Sequence, residues 1–193
     1  GGIAGHFGPD LDAPAREQIR LKLDACGVGL AAGLVDAIPT DEAACRPLFD
    51  FARKMGMEVL AARVEPTAID AVERLCDEYD IHLALRNLPD DPSKALAIRG
   101  TRGGRIGLYC DINRLPRAGI DPAEAAGLLG DRIAICVLPG EQTDATGKVL
   151  DRLRRQGRKP ILFVVEPAAG MDKVVEAFHG VITTTADSEP TTR

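Results

Sequence analysis

The sequence predicts an α/β fold built on a parallel sheet. Short runs rich in Val, Leu and Ile alternate along the chain with amphipathic helical patterns. Near-continuous apolar runs joined by helical segments are typical of parallel strands. About seven strand–helix units result, so a (β/α) barrel that lacks a unit and an open doubly wound sheet are both candidates. No G-x-G-x-x-G follows the first strand, which weakens the doubly wound alternative.

The first half of the chain supplies the first strand–helix units. GIAGHFGP, which contains His6, predicts a short strand, and APAREQIRLKLDACG predicts the helix after it. VGLAAGLV (residues 28–35) predicts the next strand. The following helix is expected to have Thr40 as its N-cap and to end at Gly56. MEVLAARV then predicts a strand, and PTAIDAVERLCDEYD predicts a helix with one apolar face.

The second half repeats the pattern. IHLALRNLP (residues 81–89) predicts a strand, DPSKAL a helix start and RIGLYCDI another strand. DPAEAAGLLG predicts a helix with Asp121 as N-cap and Pro122 in the first turn. RIAICVLP and PILFVVE predict strands around the helix TGKVLDRLRRQG, and GMDKVVEAFHG predicts a last helix. We expect one domain over residues 1–182 and a flexible tail over residues 183–193.

Composition limits the classes of partner. The chain has 193 residues and a net charge of −5, with no run of Lys and Arg interleaved with aromatic residues. Nucleic acid and membrane surfaces are therefore not expected as partners, and no apolar segment approaches the length of a membrane span. The five cysteines form no C-x-x-C pair. A zinc knuckle or a disulfide framework is not expected, and a reducing, cytoplasmic compartment is favoured.

Polar residues follow the predicted strands, and active sites of parallel α/β folds lie at this edge of the sheet. These residues are Arg63, Glu65, Arg86, Asn87, Asp111, Asn113, Arg114 and Glu166.

Strand alternation predicts which side chains share a face. One strand is expected to present three residues on the same face: Ile133, Ile135 and Val137. If such faces point into a barrel, then Arg86, Asp111 and Glu166 converge at its mouth. Cys110 and Cys136 have the opposite parity and are expected to face the helices.

Four segments resemble the sugar phosphate isomerase/epimerase family, whose xylose isomerase-like barrels include the endonuclease-IV type. They are FDFARKMGMEVLAARVEPTAIDAVERLCDEYDIHLALRNLP, YCDINR, AGIDPAEAAGLLGDRIAICVLPG and ILFVVE, and the match runs from about residue 15 to residue 166. The resemblance implies a xylose isomerase-like TIM barrel, here incomplete with about seven parallel strands. It also implies a small carbohydrate or sugar phosphate as the partner.

The chain departs from the metal site that the resemblance implies. In the family a Glu, an Asp, a His and a second Glu hold a divalent metal, and by position these fall on Arg86, Asp111, Val137 and Glu166. A further family His falls on Arg114. Neither a guanidinium nor a hydrocarbon can be a metal ligand, so no metal and no cofactor are expected. Arg86 is expected either to lie between Asp111 and Glu166 as a counter-charge or to cap its strand and face solvent.

Two functions follow. In the first, the protein is a degenerate, non-catalytic member that binds a small anionic carbohydrate, with ligand contacts from Arg86, Arg114, Asn87, Arg63 and His6. In the second, it is an active, metal-independent sugar isomerase or epimerase. Glu166 or Asp111 would then be the base, and an arginine would polarise the carbonyl oxygen.

The missing unit carries a separate expectation. It would leave edge strands with unpaired backbone groups. An upstream segment, the tail or a second copy of the chain is expected to cover them, and the last of these predicts a homo-oligomer.

Overall fold

A computed structural model describes residues 7–139 and 143–156 with their side chains, and the backbone of residues 161–165. The helices are α1 (Ala13–Ala25), α2 (Glu42–Lys54), α3 (Ile69–Tyr79), α4 (Pro92–Arg99), α5 (Pro122–Leu129) and α6 (Asp144–Arg155). The strands are β1 (Ala32–Ala37), β2 (Val59–Arg63), β3 (His82–Leu85), β4 (Ile106–Asp111), β5 (Ile133–Pro139) and β6 (Ile161–Val165). Short 3₁₀ helices over Leu115–Ala118 and Gly130–Arg132 flank α5.

The described strands form one six-stranded parallel sheet in the order β1-β2-β3-β4-β5-β6. A doubly wound sheet reverses its strand order at a switch point, whereas this order never reverses. Right-handed crossovers that all progress in the same direction carry their helices to the same face of the sheet. The doubly wound alternative is therefore wrong for the described strands, and the incomplete barrel is confirmed.

The core divides between the two faces of the sheet. The helix-facing side is filled by large side chains, among them Phe49, Leu60, Leu75, Leu83, Leu108, Cys136, Val149 and Leu153. Cys110 also packs on this side, as alternation predicted for both strand cysteines. The inner face carries smaller residues, with Val59, Ala61, Ala84, Ile135 and Val137 forming its buried cluster. The inner face of β2, β3 and β5 thus carries a buried apolar cluster that reaches toward the carboxyl ends of the strands.

A bulge in β5 corrects one prediction. Leu108 pairs with Ile133, but Tyr109 pairs with Ile135, so Ala134 is an extra residue. Ile133 therefore packs with the helix-facing cluster, whereas Ile135 and Val137 lie on the inner face. The predicted shared face for all three residues is wrong because alternation assumes an unbroken ladder.

Two element boundaries differ from the predicted ones. β1 begins at Ala32 instead of residue 28, because the Val28 N–H closes the end of α1 on the Leu23 carbonyl at 2.9 Å. The N-cap of α2 is Asp41 instead of Thr40, since the Asp41 carboxylate accepts from the Ala44 N–H at 2.9 Å.

Other boundary predictions are confirmed. Gly56 follows α2 with a φ of 76°. Asp121 caps α5 by accepting from the N–H groups of residues 123 and 124, each at 2.8 Å.

Some predictions fall outside the described residues. Residues 7–10 contain no strand, and the remainder of GIAGHFGP lies outside the described part, as do the last helix and the tail over residues 183–193. The described helices include none that is long and apolar enough to cross a membrane.

Candidate functional site

Neighbouring strands bring three of the predicted positions to one place. Ala84 of β3 lies on the inner face and pairs with Gly107 of β4, so Arg86 follows on the same face. Asp111 ends β4 and pairs directly with Val137 of β5. Arg86, Asp111 and Val137 thus lie on consecutive strands at the carboxyl end of the inner face, which is the mouth of the barrel.

Arg86 reaches across the mouth rather than into solvent. Its Nη1 donates to the Val35 carbonyl at 3.1 Å. Val35 belongs to β1, two strands away, and lies in a bulge where the ladder to β2 is interrupted. The guanidinium carbon also lies 5.5 Å from the centroid of the Tyr109 ring, a cation–π contact. The strand tip therefore carries a half-buried arginine that is oriented by a carbonyl and an aromatic ring.

Asp111 is oriented by its own turn. Its Oδ1 accepts from the backbone N–H of Asn113 at 3.1 Å and from Asn113 Nδ2 at 3.0 Å. Within the described residues, no ion pair joins Asp111 to Arg86, so this half of the predicted counter-charge arrangement is not formed. Glu166, the other carboxylate of that arrangement, lies outside the described part of the chain.

A cavity of about 160 Å³ opens beside the mouth, at the carboxyl ends of β3 and β4 and against helices α4 and α5. Arg86, Tyr109 and Asp111 line it together with the segment after β3 and the turn after β4. Arg114 from that turn forms an ion pair with Asp90 at 3.1 Å, which joins the two segments across the rim. The sequence therefore brings two arginines and two aspartates to the wall of one small cavity.

The remaining predicted residues are distributed unevenly. Asn87 lines the cavity and has a φ of 55°, in the left-handed region that asparagine tolerates. Arg63 ends β2 but is not part of the cavity wall. Its guanidinium lies 3.9 Å from the carboxylate of the exposed Asp36. His6 lies outside the described residues.

Electrostatics link the residues of the cavity. Burial, together with the Asp111 carboxylate, raises the pKa of Tyr109, while the Arg86 guanidinium lowers it. The net effect is upward, so the Tyr109 hydroxyl is neutral at physiological pH. The charged groups that oppose each other at the mouth are therefore Arg86 and Asp111.

The described donors at the mouth do not by themselves fit a divalent metal. Val137 is 2% exposed and packs in the inner apolar cluster, and Arg86 presents only N–H donors. Asp111 is the one acidic group that the described residues place at these positions, and nowhere in the described part do three potential ligands gather. Hard divalent ions need several oxygen ligands, so no step of a mechanism is assigned to a metal.

Sequence reasoning missed two parts of the site. Asp90 stands beside Asp91, the N-cap of α4, and its spacing from Arg114 along the chain carries no signal. The Val35 carbonyl could not be found either, because any residue type supplies a carbonyl. Both could be located only once the strand order was known.

Comparisons with known proteins bear on the fold. No protein-family model matches the sequence, and no curated protein matches it. Among solved structures, an L-ribulose 3-epimerase matches with a TM-score of 0.63 and 14% identity, over 95% of this chain and 86% of its own. The 3-keto-D-glucoside 4-epimerase of E. coli matches with a TM-score of 0.64 and 9% identity, over 93% and 87% of the two chains.

A third structure is a sugar phosphate isomerase/epimerase from Parabacteroides distasonis. It matches with a TM-score of 0.58 and 8% identity, over 90% of this chain and 76% of its own. All three likenesses extend over most of both chains. The chain therefore has the xylose isomerase-like fold of the sugar isomerases and epimerases, in a divergent form.

Proposed function

We propose that this protein binds a small anionic carbohydrate at the mouth of its barrel, without a divalent metal and without catalysing a reaction. One observation carries the proposal. Arg86 lines a cavity of about 160 Å³, and no carboxylate of the described residues forms an ion pair with its guanidinium. A guanidinium held in place in this way is suited to receive a ligand anion.

The surrounding groups support a carbohydrate. Asn87 and the free oxygen of Asp111 can accept hydroxyl hydrogens, and Asn87 can also donate. Each hydrogen bond to a charged group is worth about 1.5–3 kcal/mol, so the anionic group would contribute a large part of the affinity. The similar solved structures include epimerases named for sugars, which supports the ligand class.

Calorimetry with matched ligands tests the proposal. Neutral hexoses are compared with the corresponding uronates and 6-phosphates, using wild-type protein and Arg86→Gln. We expect an anionic sugar to bind more tightly than its neutral counterpart, and Arg86→Gln to remove this difference. Equal binding of neutral and anionic sugars, or no binding of any of them, would refute the proposal.

A second function is favoured by a specific observation. Both hydrogen bonds to Asp111 fall on Oδ1, so among the described residues Oδ2 accepts none and could take a proton from a substrate carbon. With Arg86 polarising a carbonyl, this pair could support metal-independent isomerisation or epimerisation, for which Glu166 is the alternative base. Proton NMR in D₂O checks this function: exchange at the carbon next to a sugar carbonyl, lost in Asp111→Asn, supports it, and no exchange argues against it.

A further inference from the structure

The charges on the cavity wall are balanced. Among the described residues that line it, Arg86 and Arg114 are positive, and Asp90 and Asp111 are negative. A ligand that carries two negative charges would therefore enter a site with no excess of positive charge. The distribution of the charges decides which anion fits.

Arg86 is the cation that is available to a ligand. Its Nη1 is used by the Val35 carbonyl at 3.1 Å. Nε and Nη2 remain, and they form the side of the guanidinium that binds two oxygen atoms in parallel. This geometry matches two oxygens of a carboxylate or of a phosphate, so the charge of the surrounding groups decides between these two anions.

Arg114 is not available in the same way. Its Nη2 lies 3.1 Å from Asp90 Oδ1, and the Asp90 side chain is 35% exposed. The ion pair offsets the Arg114 charge at the rim and engages one nitrogen of its guanidinium. A second anionic oxygen at this position would have to compete with the Asp90 carboxylate for the Arg114 charge.

Asp111 is the remaining charged group that affects which ligand binds. Its Oδ2 accepts no hydrogen bond from the described residues, and it lies on the strand next to Arg86. A carboxylate at this position repels a dianion and accepts a hydrogen bond from a neutral hydroxyl. The favoured ligand thus has one negative charge at Arg86 and a hydroxyl at Asp111.

We infer that the mouth selects a sugar acid, a hydroxylated monocarboxylate, over a sugar phosphate, and that the Asp90–Arg114 ion pair enforces this choice. The inference rests on the proposed function and specifies its ligand class. A phosphate monoester carries close to two negative charges above its second pKa, near 6, so the site penalises it at physiological pH.

The experiment compares D-glucuronate, D-glucose 6-phosphate and D-glucose by calorimetry at pH 7.5. We expect glucuronate to bind wild-type protein more tightly than the phosphate, by a factor of up to about five, which is the ratio that one exposed charge contact gives. Asp90→Asn should release Arg114 and move the affinity ratio toward the phosphate by a similar factor. Asp50→Asn is the matched control, because it removes an ion-paired carboxylate from the outer surface, where Asp50 contacts Lys54 at 2.6 Å. It should leave the ratio unchanged.

The outcomes separate the two claims. Tighter binding of glucose 6-phosphate to wild-type protein, abolished by Arg86→Gln, would overturn the inference and leave the proposed function in place. A ratio that Asp90→Asn does not change would also overturn the inference. Equal binding of all three sugars, or none, would overturn the proposed function and the inference with it.

Discussion

Arg86 is held at the mouth by two neutral partners, the Val35 carbonyl and the Tyr109 ring. Arg86→Ala removes a hydrogen bond from a charged donor and a cation–π contact, so we expect it to lower the free energy of unfolding by about 1–3 kcal/mol. Breaking a buried ion pair would cost about 3–5 kcal/mol. Because neither partner titrates between pH 5 and pH 8, the loss should be constant across that range.

Urea denaturation at several pH values measures this loss. Arg114→Ala is the control, since its ion pair with Asp90 is largely exposed and should be worth about 0–1 kcal/mol. If the stability lost in Arg86→Ala shrinks as pH falls, then the substitution has left carboxylates without a counter-charge. Acid would relieve their repulsion by protonating them. That result would restore the counter-charge role.

The cysteines differ sharply in accessibility. Cys26 is exposed, whereas Cys45, Cys76, Cys110 and Cys136 are buried. Burial raises the pKa of Cys76 and of Cys110 to about 12, which leaves almost no thiolate at pH 8. A thiol-specific chromogenic reagent should therefore find one fast-reacting thiol in the native protein and all five after denaturation. Cys26→Ser should remove the fast reaction, and a second fast thiol in the native protein would contradict the described packing.

At the scale of elements, three neighbouring strands place residues where a metal site could be built. Asp111 and Val137 are paired on β4 and β5, and Arg86 follows β3 on the same face. Arg86→Glu combined with Val137→His would place a second carboxylate and an imidazole beside Asp111, a donor set suited to Mn²⁺, Co²⁺ or Zn²⁺. We expect a saturable thermal stabilisation by metal, corresponding to about 2.7 kcal/mol at a metal concentration of 100 Kd.

Thermal-shift titration with each metal checks this expectation. The two single variants are the matched controls and should respond weakly, and Asp111→Ala in the double variant should remove the response. If the double variant shows no saturable stabilisation, the three positions do not converge as the register indicates.

Residue patterns predicted the kind and order of the described elements better than their boundaries. The apolar runs around Leu60, Leu83 and Leu108 form buried strands. Their apolar composition, which the sequence itself shows, was enough to predict them. The start of β1 and the bulge at Ala134 depend on contacts with other segments, which alternation does not record. Strand alternation predicted that Arg86 and Asp111 lie at the same mouth. It could not predict the partners that orient Arg86, because they lie on other strands.

At the scale of the whole molecule, exposed apolar side chains concentrate near one end of the sheet. Phe7, Leu21, Val28 and Leu34 are each at least 40% exposed, and all precede or belong to β1, which pairs only with β2 among the described strands. The predicted homo-oligomer would cover this edge. We expect the sedimentation coefficient to rise with protein concentration, and Leu34→Lys to abolish the rise because a charge cannot be buried there without a partner.

The control for this measurement is Ile98→Lys, which changes an equally exposed apolar residue on α4. It should leave the sedimentation behaviour unchanged. A monomeric value at every concentration would show that no second copy covers β1.

The bulge in β5 has a consequence for insertions and deletions. Ala134 is the extra residue between the pairs Leu108–Ile133 and Tyr109–Ile135, so the strand would keep regular alternation if this residue were lost. A side chain on Gly107 would meet the Ala134 Cβ at 2.6 Å. The absence of a side chain at Gly107 therefore makes room for the extra residue of the bulge. If β5 kept its length but lost the bulge, it would slide by one position and bring Cys136, in place of Val137, beside Asp111. The thiol that now faces the helices would then stand at the mouth, and a change in strand register alone would have replaced a hydrocarbon there with a reactive group.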